Sequence, residues 1–201
     1  MKRNSVFAVI LACVLCLITG CTSTSNVPPP TIEPTPVVTV QPTESPTETP
    51  VSELTVHFID VGQADAAVLQ CGDDTMMIDG GNVADSSLIV AYLKKLNIDN
   101  IDYMVCTHAH EDHVGGLSAP LSVMPVSAVY APSAEADSKA YQNFKRKAAD
   151  QNTEIMHPEN YESFPFGSAR VEILACPDNA DNLNNTSIIL KVTHKNKSFL
   201  F

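Results

Sequence analysis

The segment Thr107-His108-Ala109-His110-Glu111-Asp112-His113-Val114-Gly115-Gly116 sets four ligand-type side chains within six residues, in the order His-x-His-x-Asp-His. Imidazoles joined by one carboxylate suit Zn²⁺ best, with Mn²⁺ or Fe²⁺ as alternatives. In an extended stretch alternate side chains point the same way, so His108 and His110 can converge on one ion. Where the chain turns into a helix, Asp112 and His113 project from its first turn toward a second position nearby. A lone histidine is more often a satisfied, non-ligand side chain. Three histidines flanking one aspartate directly after an apolar strand pattern point instead to metal. Gly115-Gly116 would let the backbone pass close beneath such a site.

The surrounding pattern supplies elements to hold that loop. Residues 54–60 (LTVHFID) alternate and read as a strand, 61–63 as a tight turn, and 65–71 as the returning strand. Gly72-Asp73-Asp74 marks a hairpin turn and 75–78 a third strand, broken by Asp79-Gly80-Gly81-Asn82. From Asp85 or Ser86, both plausible N-caps, the spacing predicts a helix with Leu88, Ile89, Tyr92, Leu93 and Leu96 on one face. Residues 101–106 read as a short buried strand leading into the His cluster, followed by a helix from about 114–116 to 123. A strand is expected at 126–130, an amphipathic helix at 135–150, and strands at 171–174, 187–193 and from 197. The basic run Lys145-Arg146-Lys147 reads as a solvated helix face. Hairpins followed by strand–helix alternation give a layered α/β domain.

Outside that domain the chain has another character. Residues 1–21 carry Lys2-Arg3, then an apolar run, and end on Ile18-Thr19-Gly20-Cys21. A basic start and a short apolar stretch make a secretory signal, too short for a comfortable membrane span. Its ending resembles the bacterial lipobox, which implies cleavage before Cys21 and lipid on its thiol. An ordinary cleaved signal peptide or an uncleaved anchor are the alternatives. Residues 22–52 are dominated by Pro and Thr and form an extended linker. The domain then occupies 53–201. The expected location is the extracytoplasmic face of the cell membrane, held by the lipid anchor, and no protein partner can be inferred.

The formal net charge of -11 argues against electrostatic capture of nucleic acid, although bound divalent cations would reverse the local field. Cys71, Cys106 and Cys176 show no Cys-x-x-Cys spacing and read as buried small hydrophobes, with a metal-ligand role for Cys176 as the alternative.

The ordered set of Phe58-Ile59-Asp60-Val61-Gly62-Gln63-Ala64-Asp65-Ala66, Met77-Ile78-Asp79-Gly80-Gly81, the His cluster and Asn184-Asn185-Thr186-Ser187 resembles the metallo-β-lactamase superfamily. Within it, the set is similar to the hydrolase domain of ComEC/Rec2-type competence proteins. The resemblance implies an αββα sandwich with two divalent metal ions at the edge between its sheets. His108 and His110 would bind one ion, and Asp112 and His113 the second, with Asp112 also the catalytic carboxylate. Asp79 would order the metal loop. Asp60, Gln63 and Asp65 would shape a turn or touch substrate, and Asn185 and Ser187 would contact substrate or scaffold their loop. The expected reaction is phosphodiester hydrolysis, in nucleic acid, nucleotides or wall-polymer phosphate, by a hydroxide formed on the metal.

Three departures qualify the match. Ala64 stands where the family often has Gly. His157 and His194 lack the context of the superfamily's next ligand. The sequence ends at Phe201, where the family continues into Thr-Gly-Asp with a bridging Asp and a later His. The expectation is therefore a sandwich incomplete at its C-terminus and weakly active or inactive. The rival readings are a catalytically incomplete metal-binding or surface-interaction fragment, and another hydrolase of the same fold such as a β-lactamase.

Overall fold

Apolar, β-branched stretches separated by turn residues build the first sheet. The computed structural model describes residues 51–178 and 181–201; the expected signal peptide, Cys21 and nearly all of the expected linker lie outside the described residues. Strands β1 (Leu54–Phe58), β2 (Ala66–Cys71) and β3 (Asp74–Gly80) form an antiparallel meander. Cys71 pairs with Asp74 across the two-residue turn Gly72-Asp73. Parallel strands β4 (Ile101–Val105), β5 (Val126–Tyr130) and β6 (Ile155–Met156) complete the sheet in the order β1-β2-β3-β4-β5-β6.

The parallel strands need crossovers, and helices supply them: α1 (Ser86–Lys95) before β4, α2 (Glu111–Val114) and α3 (Pro120–Val123) before β5, and α4 (Lys139–Asp150) before β6. A second, antiparallel sheet of β7 (Ser163–Phe166), β8 (Ala169–Ala175), β9 (Ile189–His194) and β10 (Lys197–Leu200) runs in the order β10-β9-β8-β7.

Two cores follow from the alternation of side chains along a strand. Met77 and Val68 face the helices and pack with Ile89, Leu93, Met104 and Phe144. Met76 and Leu69, one residue away, face the second sheet and pack with Val171, Leu190 and Val192. Burial on both faces is why β2 and β3 read as unbroken apolar runs. The other face of the second sheet is polar, with Arg170 opposite Thr193 and Thr193 hydrogen-bonded to Ser198 at 3.0 Å. The described layers are thus helix, sheet and sheet, a mixed α/β sandwich. Among the described residues no helix is long and apolar enough to cross a membrane.

Several boundaries differ from the sequence reading. The single helix expected up to 123 is interrupted by a 3₁₀ turn at Gly115–Ser118. Here the chain runs against its neighbours: a Cβ on Gly115 would lie 2.4 Å from the Val83 nitrogen, and one on Gly116 would lie 2.0 Å from the Gly80 oxygen. Pro120, whose missing N–H is harmless in a first turn, restarts the helix as α3. Helix α4 begins at Lys139 rather than 135, because the Ser138 hydroxyl caps it by accepting from Tyr141 N. Leu88 is exposed, whereas Ile89 and Leu93 are buried on the core face of α1 with Tyr92 and Leu96 half-buried beside them. Strands β6 and β7 were not foreseen. Pro165 fits β7 because that strand lies at a sheet edge.

Cys71, Cys106 and Cys176 are free and buried. Burial, with help from Asp178, pushes the Cys176 thiol up to about 11, which disfavours the thiolate a metal would need. At the turn end of β2, Cys71 Sγ lies 3.5 Å from Ser52 Oγ and 3.6 Å from Ser168 Oγ. His194 Nε2 lies 2.8 Å from the Ser52 carbonyl and 3.2 Å from Ser168 Oγ. These contacts fasten the start of the domain to both sheets.

Replacing Gly116 by Ala is expected to lower stability by about 1–3 kcal/mol, the usual range for forced overpacking. Urea unfolding of wild type and variant reads this directly; an unchanged midpoint would mean that the close backbone approach is not a real constraint.

Candidate metal centre

The centre is assembled at the ends of β3 and β4. Asp79, the penultimate residue of β3, is buried and adopts a left-handed conformation (φ 55). A short polar side chain tolerates this, at roughly 1–2 kcal/mol. Its carboxylate accepts from Thr107 N at 2.7 Å through Oδ1, and from Thr107 Oγ1 at 2.6 Å through Oδ2. Oδ2 also accepts from His113 Nδ1 at 2.8 Å. One carboxylate therefore ties the end of β3 to the start of the His loop and to helix α2.

The three imidazoles are held in the same sense. Thr107 Oγ1, having given its proton to Asp79, accepts from His108 Nδ1 at 3.1 Å. His113 Nδ1 donates to Asp79. His110, the N-cap of α2, donates from Nδ1 to Asn184 Oδ1 at 2.8 Å. With every Nδ1 carrying a hydrogen, each neutral ring keeps its lone pair on Nε2, the arrangement in which outer partners prepare histidines for metal. The rings cluster, with centroids 4.0 Å apart for His108 and His113 and 5.0 Å for His108 and His110. His113 Nε2 lies 3.8 Å from Asp65 Oδ2 and 4.0 Å from Asp112 Oδ2.

The fit to a divalent cation rests on one atom in particular. His108 Nε2 is buried and has no hydrogen-bond partner. An unsatisfied buried nitrogen costs about 1–3 kcal/mol, a cost that a cation would remove. The donor chemistry agrees, being imidazole nitrogens with Asp112 at the rim. As placed, no group of three or more His, Cys, Asp or Glu side chains among the described residues is gathered closely enough to coordinate one ion. Burial and the neighbouring His113 hold the His108 pKa below its ordinary value, favouring the neutral ligand form. At His113 burial also works downward, but the Asp79 hydrogen bond and charge outweigh it, and the pKa is raised.

The cluster opens on a cavity of about 340 Å³ whose lining includes Asp65, Asp79, His108, His113, Ser187 and Phe58. Asp112 and Gln63 line a separate polar recess with Asn82 and Glu111. Asp65 is braced through its backbone, donating to the Asp112 carbonyl at 3.1 Å and accepting from Gly81 N at 2.8 Å. The exposed Asp60 accepts from Gly62 N at 3.3 Å, a turn contact. Asn185 is exposed, and Ser187 donates to the Asn184 carbonyl at 2.7 Å. The sequence reading quoted Thr107 and Asn184 inside their motifs but gave neither a role. The one available signal was their adjacency to His108 and Asn185.

Residues 59–162 match the family model of the Metallo-beta-lactamase superfamily. Among solved structures, the fold is similar to a metallo-beta-lactamase with a HARLDQ motif from Cronobacter sakazakii, with a TM-score of 0.53 and 18% identity over 73% of this chain and 58% of that one. It is also similar to the metallo-beta-lactamase SMB-1 bound to 2-mercaptoethanesulfonate, with a TM-score of 0.53 and 19% identity over 73% of this chain and 60% of that one. At this identity the likeness is one of fold, and the chain spans three fifths or less of the length of these structures. No curated protein matches the chain in sequence.

The raised His113 pKa gives a pH signature in metal-stripped protein. A histidine whose folded pKa exceeds its unfolded value contributes stability that is full below about pH 6.5 and lost as pH rises through the folded value. The stability gap between wild type and Asp79→Asn should therefore be widest near pH 5.5 and narrow toward pH 8. Urea titrations across that range check it, and a constant gap would show that His113 does not titrate against Asp79.

Proposed function

From the premise that the chain belongs to the metallo-beta-lactamase superfamily, generally hydrolases, we propose that it is a metal-dependent hydrolase of phosphodiesters in nucleic acid, nucleotides or wall-polymer phosphate. The observation that carries the reading is the set of three imidazoles, each fixed through Nδ1, around the partnerless Nε2 of His108. His108 and His110 would hold one divalent ion, and Asp112 and His113 a second, with Zn²⁺ favoured and Mn²⁺ the alternative. Bound there, the ions supply Lewis acidity and activate water at neutral pH.

The chain's own groups do the rest. Asp79 orients the His113 ring and keeps Thr107 and its strand end in place. Asp112, whose side chain is 42% exposed with Oδ2 4.0 Å from His113 Nε2, would take a proton from attacking water. Phosphodiester specificity draws its support from the first motif, Asp60 to Asp65, and from the Asn184–Ser187 segment, which resemble the competence-type branch. Cationic charge at the site would offset an otherwise acidic chain and admit an anionic substrate.

Metal analysis of the purified chain should find Zn or Mn in wild type and little in the double variant His108→Ala/His110→Ala. With either metal added, this chain should turn over bis-p-nitrophenyl phosphate or DNA only weakly, and Asp112→Asn should slow that residual rate further, on the order of 100-fold or more. Turnover of nitrocefin instead would move the substrate to β-lactams. Metal without any turnover would leave a binding module, and equal metal in both proteins would sink the reading altogether.

We propose also that the mature chain is held at the extracytoplasmic membrane face through lipid on Cys21, a reading that rests on the leader sequence alone. Fatty-acid labelling should mark wild type and spare Cys21→Ser; an unlabelled wild type ends the idea.

A further inference from the structure

We infer that Asn184 is a positioning residue of the metal centre, whose side-chain oxygen sets the orientation and tautomer of His110. The inference rests on the reading of the His cluster as a metal site.

His108 and His113 are each fixed from within the β3–β4 framework, by Thr107 and Asp79. His110 has no such support from its own side of the molecule. Its ring makes one side-chain hydrogen bond among the described residues, the 2.8 Å contact with Asn184, which lies 74 residues away in sequence. An amide oxygen can only accept, so Nδ1 must carry the hydrogen and Nε2 the lone pair. Without that acceptor the half-buried ring is free to turn and to exchange its proton between nitrogens.

Asn184 is itself rigidly placed. It sits in the one-turn 3₁₀ helix Leu183–Thr186, capped by Asn182, whose side chain accepts from Asn185 N at 3.2 Å. Thr186 Oγ1 donates to the Leu183 carbonyl and Ser187 Oγ to the Asn184 carbonyl, both at 2.7 Å. Ile188 N then donates to the Thr107 carbonyl at 2.9 Å, strapping the segment to the first residue of the His loop. Three hydrogen bonds within the turn and one strap to Thr107 fix the position of a single amide. Its neighbour Asn185, exposed like Asn184, makes no side-chain hydrogen bond to the ring among the described residues, although the sequence pattern makes the two equivalent.

The partner's chemistry also separates the two ligand pairs. Asp79 gives His113 a carboxylate, which strengthens it as a base, whereas Asn184 gives His110 a neutral acceptor that orients without adding charge. Loss of an outer partner of this kind typically costs 10–100-fold in metal affinity.

The test uses the full chain, with Zn²⁺ affinity read by competition with a chromogenic chelator and thermal melting read in EDTA. Asn184→Ala should bind Zn²⁺ about 10–100-fold more weakly while melting like wild type. Asn184→Asp, which keeps an acceptor, should recover most of the affinity, and Asn185→Ala should keep the wild-type Zn²⁺ affinity and His110 tautomer. In metal-free protein, long-range ¹H–¹⁵N spectra should show His110 as a single Nδ1–H tautomer that becomes mixed in Asn184→Ala. Unchanged affinity and tautomer in Asn184→Ala overturn the inference, as does an affinity loss matched by a lower melting temperature and not rescued by Asp. If wild type binds no Zn²⁺, the metal reading itself fails, and the tautomer spectra still decide whether Asn184 orients the ring.

Discussion

The buried Asp79 carboxylate is the interaction on which the rest of the site depends. Three donors converge on it: the Thr107 backbone, the Thr107 hydroxyl and the His113 ring. Each belongs to a different level of the structure, since the first closes the end of the parallel β3–β4 pair, the second starts a relay to His108, and the third reaches helix α2. A charge this deep is tolerated because its oxygens are supplied with hydrogens. The same feature explains the left-handed backbone at Asp79, a local strain accepted to aim the side chain inward.

Around that anchor the layered fold is a device for bringing distant turns together. The ends of β3 and β4 present Asp79 and the His loop, and the second sheet delivers the 182–188 segment to the same edge through Ile188 and Thr107. Backbone contact is unusually close there, with Gly80, Gly115 and Gly116 leaving room for one another where any side chain would collide. The His loop is therefore set by backbone packing before any side chain of the cluster is considered, as preorganisation of a ligand set requires.

Much of this was legible in the sequence because the relevant signals are local. His108, His110, Asp112 and His113 are contiguous, and a strand followed by a glycine pair told where they would sit. The alternation in residues 54–60 and the apolar runs of β2 to β4 were equally plain. What stayed hidden depends on partners far along the chain. The helix break at Gly115 is enforced by Val83 and Gly80, and although Gly115-Gly116 and Pro120 hint at a break, only those distant backbone neighbours require it. Asn184 and Asn185 are the same residue type side by side, and only the turn of a 3₁₀ helix decides which one meets His110. Strands β6 and β7, of two and four residues, are too short to carry a period, and pairing with neighbours alone defines them.

The contacts of Ser52 with Ser168 and His194 bear on how the domain is held. They sit at the turn end of β2, whereas Ala66 and Ala67, at the other end of that strand, line the cavity beside the His cluster. A strand of this length separates the two by roughly 17 Å at the usual rise of about 3.4 Å per residue. Ser52 is thus fastened to the domain at the end of β2 remote from the cluster. A load applied at Ser52 would fall on the seryl and histidyl contacts at that end of β2, and not on the imidazoles at the other.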